Sequence, residues 1–161
     1  MVEPVSRSIE DRVREIIEIA ISNENNAEAF YREAAEKVKL PHARKALEEL
    51  ADEEVGHAEF LRNLLQQGFD SILEGGGDSA VDDLQIVEYL SVPELNVYSN
   101  YQEILTVAMH REKIAMDFYN GMAAIVREDK LKRILEKLAA VELGHKERLE
   151  RMYEEEYYQE F

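Results

Sequence analysis

Cysteine is absent from the 161 residues. That excludes disulfides, thiolate metal sites, iron–sulfur clusters and cysteine nucleophiles together. Any metal must be held by carboxylate and imidazole. Proline (3) and glycine (7) are scarce, so the chain has little punctuation and its elements are few and long. Basic residues are outnumbered, 19 Lys and Arg against 35 Asp and Glu, giving a formal charge of −16. Such an acidic chain is not expected to bind nucleic acid or an anionic membrane, both being polyanions. No apolar run approaches the ~18–20 residues of a membrane span. The opening Met-Val-Glu-Pro has neither a basic nor an apolar signal region, so a cytoplasmic protein is expected. What is present is 45% hydrophobic and 34% charged, the balance of a folded globular chain. The length suits one domain of about 100–200 residues.

Helical periodicity runs through most of that length. Ser8 with Ile9, Glu10 and Asp11 reads as a helix start, acids in the first turn being favoured by the helix dipole. This helix continues to about Lys39. Pro41 suits the first turn of a second, which runs to about Gln67 and stops at Gly68. Residues 68–98 break the pattern with Gly75-Gly76-Gly77, a short candidate helix over Val81 to Leu90, and Pro93. Ser99 with Gln102 resembles a capping box opening a third helix to about Val126, and Glu128 and Asp129 open a fourth that ends in the tail Tyr153 to Phe161. The expected fold is an all-α four-helix bundle in a single domain. It consists of hairpin 1 (about 8–67), a crossover (68–98) that makes helices 2 and 3 parallel, and hairpin 2 (about 99–156).

The two hairpins repeat each other. With residue n set beside n + 88, Ala20, Glu24, Ala27 and Phe30-Tyr31 meet Ala108, Glu112, Ala115 and Phe118-Tyr119. Leu47, Leu50, Ala51, Glu54 and Gly56-His57 meet Leu135, Leu138, Ala139, Glu142 and Gly144-His145. Each half therefore holds a helix Glu and, thirty residues later, Glu-x-x-His. Residues i and i+3 lie about 60° apart on a helix, so Glu54 and His57 share a face, as do Glu142 and His145. Those faces are apolar, flanked by Leu47, Leu50 and Leu61, and by Leu135, Leu138 and Leu149. Closing the bundle brings four Glu and two His into its core. The bland alternative is that these are surface residues of acidic helices; duplication alone could preserve a lost site in both halves, but drift at the buried acids would then be expected. Four bare buried carboxylates would be costly. Two divalent cations supply +4 against −4, and oxygen and nitrogen ligands suit iron or manganese, and zinc less distinctively.

This pattern resembles the ferritin-like superfamily, and within it the rubrerythrin-type diiron carboxylate proteins, over about residues 10–67 and 100–155. The resemblance implies that Glu24, Glu54, Glu112 and Glu142 are carboxylate ligands of two iron ions. Glu54 and Glu142 would be the bridges, with His57 and His145 as one terminal ligand per metal. Tyr31 and Tyr119, seven residues after a ligand Glu, would donate hydrogen bonds to carboxylates, core packing being the alternative. It implies an oxidoreductase of peroxidase or ferroxidase type, acting on peroxide, dioxygen or ferrous iron with an external electron donor, as a homodimer. A non-catalytic iron-binding or storage-related protein and a structurally metallated bundle are the alternatives. The chain departs from rubrerythrins at Ala115, where they carry a further Glu, and in lacking the cysteine-ligated rubredoxin-like module. Glu28 is a weaker candidate ligand, its repeat partner being Met116. His42 and His110 read as surface or packing residues. The paired Gly56 and Gly144 suggest a close helix approach or room beside the histidines, simple inheritance through the repeat being the alternative. The Gly75–Gly77 stretch lacks a phosphate-loop pattern, and Glu154–Glu156 read as a solvated end.

Overall fold

The computed structural model describes residues 8–67 and 100–157, and these form four helices with no strand among them. Helix α1 is Ile9–Lys37, α2 Pro41–Gln67, α3 Tyr101–Ile125 and α4 Asp129–Tyr157. Ser8 caps α1 in a reciprocal box with Asp11. Extended backbone at Val38 ends α1 two residues earlier than the periodicity suggests, and the Arg44 side chain donates to the Val38 carbonyl from the first turns of α2 (3.0 and 3.3 Å). Pro41 occupies the first position of α2, where its missing N–H costs nothing.

The cap of α3 differs from the sequence expectation. Asn100, not Ser99, is the N-cap, accepting from the Glu103 N–H at 2.9 Å while the Glu103 carboxylate accepts from the Asn100 N–H at 3.3 Å. A charged Glu at the third helical position answers the helix dipole better than the Gln102 amide would. Gln102 instead donates to the Tyr153 hydroxyl (2.6 Å). The expectations for Gly68, Gly75–Gly77, the candidate helix at Val81 to Leu90 and Pro93 fall outside the described residues.

Side-chain pairs fix the topology. Arg62 with Asn25 and Arg32 with Asp52 run α1 against α2; Tyr119 with Glu24 and Tyr31 with Glu112 run α1 against α3. Arg148 with Glu49 and His145 with Glu54 run α2 against α4. Each pair is antiparallel, so α2 and α3 point the same way, as a long crossover requires. The chain thus builds a four-helix bundle from two tightly packed hairpins. One hydrophobic cluster gathers Ile16, Ile17, Leu61, Phe118, Met122 and Leu135 at one end. A second gathers Ala34, Leu47, Leu50, Ile104, Leu105 and Leu149 at the other. In every helix the polar repeat residues lie between the two clusters. No helix among the described residues is long and apolar enough to cross a membrane.

Candidate metal centre

The six repeat residues meet between those two apolar clusters. Glu24, Glu54, Glu112 and Glu142 are at most 3% exposed, and His145 is buried with them. They fall into two overlapping groups, Glu24, Glu54, His57 and Glu142, and Glu54, Glu112, Glu142 and His145, each with its donor atoms within 4.8 Å of one another. Glu54 and Glu142 belong to both. Glu54 places Oε2 3.5 Å from His57 Nδ1 and Oε1 2.9 Å from His145 Nδ1. Glu142 does the same, with Oε1 3.7 Å from His57 and Oε2 3.4 Å from His145. The two imidazole rings stack at 5.8 Å between centroids.

Glu24 and Glu112 each accept a tyrosine hydrogen bond on one oxygen, which for Glu112 is also the oxygen 3.5 Å from His145 Nδ1. Tyr119 Oη donates to Glu24 Oε1 at 2.5 Å, and Tyr31 Oη donates to Glu112 Oε1. The bonds cross between α1 and α3, so each tyrosine serves the acid of the opposite hairpin. Seven buried atoms of the cluster then have no hydrogen-bond partner: Glu24 Oε2, both Glu54 oxygens, Glu112 Oε2, Glu142 Oε1, and Nδ1 of both histidines. The short His145–Glu54 approach is not aligned as a hydrogen bond. A buried polar atom without a partner costs about 1–3 kcal/mol, more when charged. An all-oxygen and nitrogen set of this kind, with lone pairs left over, fits two divalent cations.

The electrostatics describe what holds the set in the absence of metal. Burial, reinforced by Glu24, pushes Glu54 up to about 7. Burial and the neighbouring Glu112 push Glu142 well above the carboxylate range. Burial alone would lower His57, but Glu24 and Glu54 outweigh it and raise it to about 9. Likewise burial opposes the charge on His145, yet Glu112, Glu142 and Glu54 raise it above the usual imidazole value. Burial would raise Glu24, but Glu54, His57 and Tyr119 together leave it lowered. Burial, with Glu112 or Glu24 beside them, holds Tyr31 and Tyr119 neutral far above neutrality. Replacing Tyr119 by Phe is expected to leave Glu24 Oε1 without its donor and to weaken metal binding about 10–100-fold while two ions still bind. Competition between a chelator and the chain for Mn(II) measures this; an unchanged affinity would make Tyr119 a packing residue.

A cleft of about 590 Å³ between α1 and α3 reaches the four acids. Asn23, Ala27, Phe30, Arg111, Ala115 and Phe118 also line it, with the Arg111 guanidinium 4.6 Å above the Phe30 ring. Ala115 is thus at the cleft. Glu28 is outside the cluster, half-buried and 3.6 Å from Arg32. His42 and His110 are exposed. Gly56 and Gly144 are exposed as well, and a Cβ on either would meet nothing within 4 Å, so no close helix approach explains the pair among the described residues. Three polar residues that the repeat search passed over bear on the centre. His145 Nε2 donates to Glu53 Oε2 at 2.6 Å, Arg148 lies 3.7 Å from Glu53, and Arg148 donates to Glu49 at 2.5 Å.

The rubrerythrin family model matches residues 15–153. A hypothetical protein from Pyrococcus furiosus is similar in structure at a TM-score of 0.63 and 30% identity, with 88% of each chain covered. A protein from Thermotoga maritima, described as a ferritin-like diiron-carboxylate protein, is similar at 0.64 and 26% identity, with 89% of this chain and 95% of its own covered. No curated protein matches the chain.

Proposed function

This chain belongs to the rubrerythrin family, and from that membership we propose that it is a dinuclear-metal carboxylate oxidoreductase that reacts with peroxide or dioxygen. The observation that carries the reading is the set of seven unpartnered buried oxygen and nitrogen atoms on four carboxylates and two imidazoles. Glu54 and Glu142 would bridge the ions, each carboxylate presenting one oxygen towards each histidine. Glu24 and His57 would complete one position, and Glu112 and His145 the other. Iron held by these residues in its ferrous state would supply the two electrons, one from each ion, needed to reduce the O–O bond.

The protein's own groups set the conditions. Tyr119 and Tyr31 hold Glu24 and Glu112 by one oxygen and leave the other for ligation. Apolar clusters close the two ends of the bundle on either side of the centre, and burial among them strengthens the charge interactions of the acids. The cleft between α1 and α3 gives a small oxidant, or ferrous iron itself, a route to the acids. These 161 residues hold no cysteine to ligate an electron carrier, and the reading accordingly includes an external electron donor. Loading the metal-free chain with two equivalents of Fe(II) under argon and adding one of H2O2 is expected to produce near-ultraviolet oxo-iron absorbance, and a reductant to bleach it. A colourless, redox-silent product with full metal content would favour a structurally metallated bundle.

A further inference from the structure

We infer that the two metal positions are inequivalent, with Glu53 acting as a positioning residue that fixes His145 and leaves the His57 position the exchangeable one. The inference rests on the dinuclear reading above and goes beyond it, because the ligand set itself is symmetric under the repeat. What surrounds that set is not. His145 Nε2 donates to Glu53, Glu53 lies 3.7 Å from Arg148, and Arg148 donates in turn to Glu49. Under the same 88-residue offset, Glu53, Arg148 and Glu49 correspond to Val141, Phe60 and Lys137. Every member of the chain is replaced by a residue that cannot do its work. Among the described residues, His57 meets the cluster carboxylates and the His145 ring, and no carboxylate outside the six. Its side chain is 19% exposed against 6% for His145.

The physical consequence follows from the tautomer. Donation from Nε2 to a carboxylate holds the ring plane with Nδ1 facing the cluster, so that Nδ1 is the atom from which an arriving ion displaces the proton, and the anionic partner makes the imidazole a stronger donor. The His145 ring is oriented before the ion arrives. His57 must be oriented and stripped of solvent when the ion arrives. The outer partner of a metal-bound histidine is typically worth about 10–100-fold in affinity.

The test is anaerobic Co(II) titration against a chromophoric chelator. Wild type is expected to take up two ions in two steps, with His57→Ala keeping the tighter step and His145→Ala losing it. Adding Glu53→Ala to His57→Ala should weaken the remaining ion about 10–100-fold. Adding it to His145→Ala should leave the remaining ion unaffected. Glu53→Gln, whose amide oxygen still accepts from Nε2, should recover part of the loss. Glu53 is 48% exposed, so neither replacement opens the core, and far-ultraviolet circular dichroism checks the helices. Equal effects of Glu53→Ala in both backgrounds, or none in either, overturn the inference. So does equal weakening by His57→Ala and His145→Ala, which leaves the dinuclear reading standing. Uptake of fewer than two ions by wild type overturns both.

Discussion

Replacing Glu54 with alanine is expected to abolish two-ion binding and, with it, oxidation driven by peroxide or oxygen. Glu54 is 0% exposed and contributes to both donor groups, so its loss would take an oxygen from both proposed metal positions at once. Glu24, by contrast, belongs to one group. Glu24→Ala should therefore keep one strong ion where Glu54→Ala keeps none. Removing a shared ligand must exceed the about 10–100-fold loss typical of an outer partner. Glu142→Ala, the repeat counterpart, should reproduce the defect. Metal analysis of protein equilibrated with Fe(II) under argon gives the stoichiometry, and peroxide-dependent absorbance gives the activity. Wild-type metal content in both Glu54→Ala and Glu142→Ala would remove the bridging role and the assignment with it.

The centre was legible in the sequence because its chemistry obeys the repeat. Acids and histidines on apolar helix faces are expensive, and finding them at matching positions in both halves pointed to a common site before any geometry was known. Helix existence followed in the same way from periodicity and from Pro41. What escaped was whatever breaks the repeat or depends on approach between helices. Glu53, Arg148 and Glu49 pair with Val141, Phe60 and Lys137, so a search for identity discards them. The sole hint was a second acid beside Glu54. The tyrosines were read from their spacing along their own helices, yet they bond to the acids of the facing hairpin, a choice made by the antiparallel register of α1 and α3. Ser99 and Asn100 are both good caps, and the decision between them lay in which acid or amide stood three residues on. The cleft needs small residues at Ala27 and Ala115 on two helices at once, which no single-helix pattern reveals.

Metal and pH are expected to act on stability in opposite directions. Glu54 titrates near 4.5 in the unfolded chain and about 7 in the fold. Its contribution is therefore fully present below 4.5 and lost as pH rises through 7. His57 goes from 6.5 to about 9, so its contribution is present below 6.5 and lost as pH rises through 9. Glu142 and His145 are raised too and share that sign. Glu24 is lowered, so its contribution is lost only as pH falls and does not offset the others. The metal-free chain should thus melt at lower temperature at about pH 8.5 than at about pH 6. Metal binding displaces those same protons, so affinity grows with pH. Each ion present at 100 times its dissociation constant adds about 2.7 kcal/mol, about 5–10 °C in melting temperature for a chain of this size. The gap between Mn(II)-loaded and EDTA-treated protein should therefore widen as pH rises. Glu54→Gln, which cannot titrate, should flatten the metal-free slope and shrink the response to metal together. A metal-free chain that gains stability over that pH interval would mean that the buried acids and histidines do not carry the extra protons, and a gap that narrows would mean that those protons are not the ones a cation displaces.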